Sequence, residues 1–295
     1  MLKYTFHLCL ILGLGFFGVS CKKETNPTPS PSPGSSLSDT SFLEVSYGSH
    51  SRNVYDIFLP KGRDSLSPVV LMLHGGAWKA GRKEDMQGMV NLVKKAWPQA
   101  AIVNMNYRLA SNTDSIHHPE IMNDISAAIQ HLISNKTNYQ ISSKIGIMGS
   151  SAGGQLAMIY AYKYNSQQNI RCVGNIFGPS IISDWQWYNS NNIWLGGKVG
   201  DILTEYVGSP WDSTSYNSVS PYWNISASTP PTIGFHGSLD PIVPVYQSQW
   251  LKNKLNTFGV ANEYHEYIAF HSFDQTQSAD VAAKLVAFFK TYLSP

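Results

Sequence analysis

The chain is punctuated by short, largely apolar runs: VYDIFL (54–59), PVVLMLHGG (68–76), AIVNMNYRL (101–109), KIGIMGS (144–150), CVGNIFG (172–178), PTIGFHG (231–237) and EYHEYIAF (263–270). Valine, isoleucine, leucine and methionine follow one another in most of them without polar alternation, which is the pattern of strands covered on both faces in a parallel sheet. Between them, apolar residues recur at helical spacing. Ile121, Ile125, Ala128, Ile129 and Leu132 fall on one helix face, as do Val281, Leu285, Phe288, Phe289 and Tyr292 near the C-terminus. Strand and helix alternate, so the spacing predicts an open, doubly wound α/β sheet. Such sheets carry their chemistry at the carboxyl ends of the strands.

The first residues follow another pattern. Lys3 precedes the apolar run Leu8–Val19, which is too short for a membrane span of about 20 residues and matches a signal-peptide core. Gly18 and Ser20 bracket Val19 just before Cys21. This resembles a bacterial lipoprotein signal, in which cleavage precedes a cysteine that becomes lipidated, although Gly18 stands where leucine is usual. An ordinary cleaved signal with a stray cysteine is the alternative. NPTPSPSPGSS follows, with proline at 27, 29, 31 and 33, and such composition favours solvated, extended chain. Residues 1–20 are therefore expected to be a signal peptide, 21–39 a tether and 40–295 one folded domain. The implied location is the cell envelope, with Cys21 lipidated and anchored in the outer membrane.

Charge and cysteine content narrow the picture further. Lys+Arg number 21 against Asp+Glu 19; loss of Lys3 with the leader leaves a charge near +1, without the basic excess that a nucleic-acid partner would want. Cys9 and Cys21 belong to the leader and its end, which leaves Cys172 alone and no disulfide framework. Cys172 is expected to be buried and without a catalytic part.

The candidate chemistry lies at strand ends. Gly149-Ser150-Ser151-Ala152-Gly153 fits G-x-S-x-G with Ser151 at the serine position, after an expected strand and before an expected helix running from Ala152 to about Tyr164. A sharp strand-to-helix turn crowds the flanking positions, so glycine is needed on both sides. Ser151 is the candidate nucleophile and Ser150 a small spacer. HGGAW (74–78) ends another strand, and the backbone N–H groups of Gly76, Ala77 and Ala152 are the candidate oxyanion donors. Asp240 lies just beyond TIGF, and His271 just after EYHEYIAF. In this reading His271 takes the Ser151 proton, and Asp240 orients and stabilises the imidazolium. His265, His236 and the His117-His118 pair, expected in a loop before Pro119, are read as structural or surface residues. Asp274 is the rival for Asp240 and is read instead as the cap of the last helix.

HGGAW, NYRLA, GSSAGGQLA, HGSLDPIVP and HSF, in that order, together resemble the hormone-sensitive-lipase-like and feruloyl-esterase-like α/β hydrolases over almost the whole folded length. The resemblance implies a mostly parallel eight-stranded sheet flanked by helices, and hydrolysis of carboxylic esters through an acyl-enzyme, with no cofactor and no metal. Ala77 departs from a third glycine found in many relatives, which narrows the acyl side and favours acetyl over feruloyl groups. Kynurenine formamidases share H-G-G-x-W, so a formamide substrate stays open, as do short-chain esters unrelated to carbohydrate. A prolyl-oligopeptidase-like peptidase would want a propeller domain for which there is no room. A non-catalytic glycan-binding surface protein would be expected to have lost part of the triad.

Residues 182–224 hold Trp185, Trp187, Trp194, Trp211 and Trp223 amid asparagine, serine and glycine. Their place corresponds to the cap that α/β hydrolases carry over the active site. Most of these rings are expected to pack the cap onto the body, with one or two at the entrance stacking on a sugar or phenolic ring. The expected substrate is an acyl ester, small or borne on polysaccharide.

Overall fold

The computed structural model describes residues 37–294. The signal-like segment, Cys21 and all but the last three residues of the expected tether lie outside it. An eight-stranded sheet runs in the order β1-β2-β4-β3-β5-β6-β9-β10. Its strands are β1 (Thr40–Ser46), β2 (Val54–Leu59), β3 (Val69–Leu73), β4 (Ala101–Met105), β5 (Ile145–Ser150), β6 (Ile170–Ile176), β9 (Thr232–Gly237) and β10 (Asn262–Tyr267). β1, β2 and β4 pair antiparallel; from β4 to β10 every pairing is parallel.

The apolar runs explain the layering. Successive side chains of a strand point to opposite faces, and in β3 all five residues are buried. Val69, Leu71 and Leu73 join one core, with α2 (His118–Ser134), α4 (Ala152–Ile159) and α8 (Tyr246–Thr257); Val70 and Met72 join the other, with α1 (Gln87–Ala96) and α9 (Gln275–Leu293). The expected helix faces are the buried ones: Ile121, Ile125 and Leu132 of α2, and Val281, Leu285 and Phe289 of α9, are closed to solvent. A four-residue helix, α3 (Lys136–Tyr139), completes the first side. Cys172 is fully buried in β6, and burial pushes its thiol up.

Three expectations need correction. β1 was not foreseen: it is an edge strand, exposed or half-buried along its length, and carries little of the apolar signal that marks its neighbours. The last strand stops at Tyr267, and Ile268 and Phe270 stand well exposed in a loop. His117 and His118 do not form a loop. His117 is the N-cap of α2 and His118 its first residue, buried against the hydroxyls of Tyr206 and Tyr164.

Between β6 and β9, the stretch expected to form a cap folds as α5 (Trp185–Tyr188), a hairpin of two short strands, β7 (Asn191–Asn192) and β8 (Gly197–Lys198), α6 (Val199–Val207) and α7 (Ser213–Ser218). Its tryptophans divide. Trp187 is buried and donates Nε1–H to Ile242 O, and Trp223, though half exposed, lies with its ring centroid 4.4 Å from Lys254 Nζ of α8, so both join cap to body. Trp211 is half-buried with Trp185 packed edge-on against it, and Trp194 is 69% exposed. No helix among the described residues is long and apolar enough to cross a membrane.

Candidate active site

β5 delivers Ser151 to the turn before α4 with φ 52° and ψ −123°. That left-handed backbone costs a non-glycine residue about 1–3 kcal/mol and is tolerated where the surroundings over-determine it. Here they do: Ser151 N–H donates to Ile176 O at 2.9 Å. A Cβ on Gly149 would lie 2.3 Å from the Gly153 backbone, and one on Gly153 would lie 2.3 Å from Leu73 O, so both flanking glycines are steric requirements. Ser150 turns elsewhere, with its Oγ 3.3 Å from Met86 Sδ.

The other candidates converge on this point. His271 Nε2 lies 2.9 Å from Ser151 Oγ, and His271 Nδ1–H donates to Asp240 Oδ2 at 2.6 Å. Two backbone bonds bring their loops together: Ser238 N–H donates to Tyr267 O and Leu239 N–H to Ala269 O. Asp240 is enclosed. Burial alone would raise its carboxyl, but hydrogen bonds from His236, His271 and the Val243 N–H, together with the His271 charge, hold it well below the usual carboxylate range. Of the rejected candidates, His265 is partnered with Glu263, and Asp274 caps α9 by accepting from Gln277 N–H at 2.8 Å.

The turn after β3 has an unusual backbone. Gly76 has φ 118°, and a Cβ there would sit 2.1 Å from Ala80 O; Ala77 and Trp78 follow at φ 50° and 62°. This winding leaves the N–H groups of Gly76 and Ala77, like that of Ala152 in the first turn of α4, without a hydrogen-bond acceptor among the described residues. All three residues line one cavity of about 500 Å³ together with Ser151 and His271. Gln155, one turn beyond Ser151, braces the arrangement: its Oε1 accepts from Trp78 Nε1 at 2.9 Å and from the Tyr206 hydroxyl at 3.0 Å.

Beneath the turn, His74 is fully buried and stacked on Tyr107 with ring centroids 4.2 Å apart. Its Nδ1–H donates to Gly75 O at 2.6 Å, and its Nε2 lies 3.3 Å from the Arg52 guanidinium. Burial pushes this imidazole down to about 4, and the Arg52 charge acts in the same direction. The unfolded histidine titrates near 6.5, so between those values the unfolded state binds more protons. Stability should therefore fall as pH drops from about 6.5 towards 4, by on the order of 3 kcal/mol for His74 alone. Urea unfolding of wild type and His74→Asn at pH 7 and pH 4.5 checks this. Equal pH dependence in the two would rule out His74 as the origin.

Sequence reasoning missed several members of the site. Phe177, just past β6 at φ 41°, packs its ring 4.6 Å from that of His271. Trp78, Ile202 and Ile242 line the cavity beside Trp187 and Trp194. No local motif marks Phe177, Ile202 or Ile242; Trp78 alone falls within a motif, HGGAW.

A mostly parallel eight-stranded sheet flanked by helices, with a strained serine at a β5–α4 turn, is the α/β-hydrolase fold. Residues 55–255 match the BD-FAE family, and the chain belongs to that α/β-hydrolase esterase family; His271 lies beyond the matched span. The chain is 25% identical over 260 residues to the probable carboxylic ester hydrolase LipM of Mycobacterium tuberculosis (strain ATCC 25618 / H37Rv), which covers 83% of this chain and 59% of LipM. It thus spans rather more than half the length of that relative. Among solved structures, a truncated carbohydrate esterase from gut microbiota superposes with a TM-score of 0.69 at 22% identity, covering 85% of this chain and 96% of that one. The acetyl ester-xyloside bifunctional hydrolase of Caldicellulosiruptor lactoaceticus gives 0.65 at 20% identity, covering 81% and 88%. At those identities the two structures bear on the fold alone.

Proposed function

We propose that this protein is a serine carboxylesterase that removes acyl groups from carbohydrate through an acyl-enzyme. The observation that carries the reading is the unbroken chain Asp240–His271–Ser151, opening into a cavity with unpartnered backbone donors. His271 Nε2, kept free of a proton because Nδ1–H is engaged by Asp240, accepts the Ser151 proton as Oγ attacks the ester carbonyl. The oxyanion that forms is met by N–H groups of Gly76, Ala77 and Ala152, each worth about 10²–10³ in rate. The imidazolium then protonates the departing alcohol, and water, deprotonated by His271 in turn, releases the acid and restores Ser151.

The cavity bears on which acyl group enters. The resemblance favoured acetyl because Ala77 narrows the acyl side, yet Ala77 lines a space of about 500 Å³ walled by Trp78, Trp187, Trp194, Leu195 and Ile202. Sites of roughly 300–1,000 Å³ hold whole drug-sized molecules, so the cavity has room for an aromatic acyl group such as feruloyl as well as for acetyl. The exposed ring of Trp194 at the cavity, a face on which a sugar can stack, supports the carbohydrate part of the reading. One preparation assayed on acetylated xylan, methyl ferulate, p-nitrophenyl acetate, p-nitrophenyl decanoate and N-formylkynurenine tests it. The carbohydrate-type esters, acetyl or feruloyl, are expected to lead in kcat/KM. A tenfold advantage for decanoate or the formamide would overturn the carbohydrate assignment.

The same reading places the domain outside the cytoplasm, tethered through Cys21 to the outer membrane. It is supported by the leader pattern of residues 1–21 and the proline-rich segment after it. Mass spectrometry of the mature protein is expected to find an acylated Cys21 at the N-terminus; an unmodified N-terminus would overturn it.

A further inference from the structure

Asp240 is held by two imidazoles. His271 Nδ1 lies 2.6 Å from its Oδ2, and His236 Nε2 lies 3.1 Å from the same oxygen. Its Oδ1 accepts from the N–H groups of Ile242 at 2.8 Å and Val243 at 3.0 Å. His236 is the penultimate residue of β9, four residues before Asp240, and is fully buried. Its Nε2 also lies 3.0 Å from Val243 O. Both neighbours of Nε2, a carbonyl and a carboxylate oxygen, can only accept, so Nε2 carries a proton, and in the neutral ring Nδ1 accepts from the Ser248 hydroxyl at 2.6 Å. The tautomer is thus set by three partners on two segments: Asp240 and the Val243 carbonyl in the loop after β9, and Ser248 in α8.

We propose that His236 is a positioning residue for the triad, a second imidazole donor that fixes the Asp240 carboxylate and divides its Oδ2 charge with His271. The proposal rests on the Ser151–His271–Asp240 reading above. An oxygen that already accepts one N–H is a weaker acceptor for another. With His236 in place, Asp240 orients His271 without over-stabilising the imidazolium, so the base stays available at lower pH. The charged groups facing His236 among the described residues are Asp240, with His271 across it, and the exposed Glu266, its in-register partner on β10; from α8 it meets the neutral Ser248. His236 does not line the 500 Å³ cavity, so its effect should fall on kcat and on the pH profile, not on KM.

The test compares wild type, His236→Leu, His236→Gln and Ser248→Ala on p-nitrophenyl acetate from pH 5 to 9, with melting temperatures measured alongside. His236→Leu removes the donor and is expected to lower kcat about 10–100-fold, the size of loss seen when the outer partners of metal-ligating side chains are removed, and to move the acid limb of kcat/KM up by about 0.5–1 pH unit. His236→Gln, which can place an amide N–H at the Nε2 position, should recover at least half of that displacement. Ser248→Ala, which frees the tautomer while keeping the ring, should move the limb in the same direction by less, and it carries the test if the leucine variant does not fold. An acid limb unmoved in whichever of these variants fold, with only the melting temperature lowered, would reduce His236 to a packing residue. Failure of the triad reading is read separately, as wild type that resists fluorophosphonate labelling or Ser151→Ala that retains turnover.

Discussion

Ser151→Ala is expected to abolish covalent labelling by a fluorophosphonate and to lower ester turnover by about 10⁵–10⁶-fold, the loss typical of removing a serine nucleophile. The residual rate would come from the oxyanion donors and from binding. Ser150→Ala is the internal control, because that hydroxyl contacts Met86 Sδ and neither His271 nor the cavity. It should keep its labelling and much of its activity. The fold separates two serines that a motif leaves adjacent: the left-handed backbone at Ser151 aims one hydroxyl at His271, and the strand geometry of Ser150 aims the other away. Equal loss in both variants would mean that the turn has been misread.

Asp240→Asn should lower kcat about 10⁴-fold with little change in the folded structure. The carboxylate accepts four N–H groups, two on Oδ1 and two on Oδ2. An asparagine has one acceptor oxygen and an NH₂ group. If its oxygen keeps the backbone donors of Ile242 and Val243, the NH₂ faces two imidazole N–H groups, and His271 relieves the clash by moving its proton to Nε2. A protonated Nε2 cannot take the Ser151 proton. Steady-state kinetics with melting curves measure this, since the lost activity should far exceed any loss of stability. An asparagine variant within tenfold of wild type would show that Asp240 neither fixes the tautomer nor stabilises the imidazolium.

The sequence determined a great deal about this protein through local signals. The doubly covered runs of β3 and β5 are legible because burial on both faces removes the polar alternation. The helix faces of α2 and α9 are legible because a single apolar stripe repeats every 3–4 residues. The motif around Ser151 and the capping part of Asp274 were readable because each is written in residues within three positions, and the order serine, aspartate, histidine comes from motifs that each follow a strand. Tertiary structure alone decided the rest. His271 reaches Ser151 across 120 residues of chain, and the loops that carry His271 and Asp240 meet through backbone bonds that any sequence can make. β1 depends on pairing with β2, Phe177 on where the His271 loop lands, and the shared carboxylate of Asp240 on a histidine that looks like an ordinary strand residue. The exposed tryptophans of the cap and the breadth of the cavity belong to the same category. Their surroundings are assembled from segments far apart in the chain, and no periodicity records a contact between them.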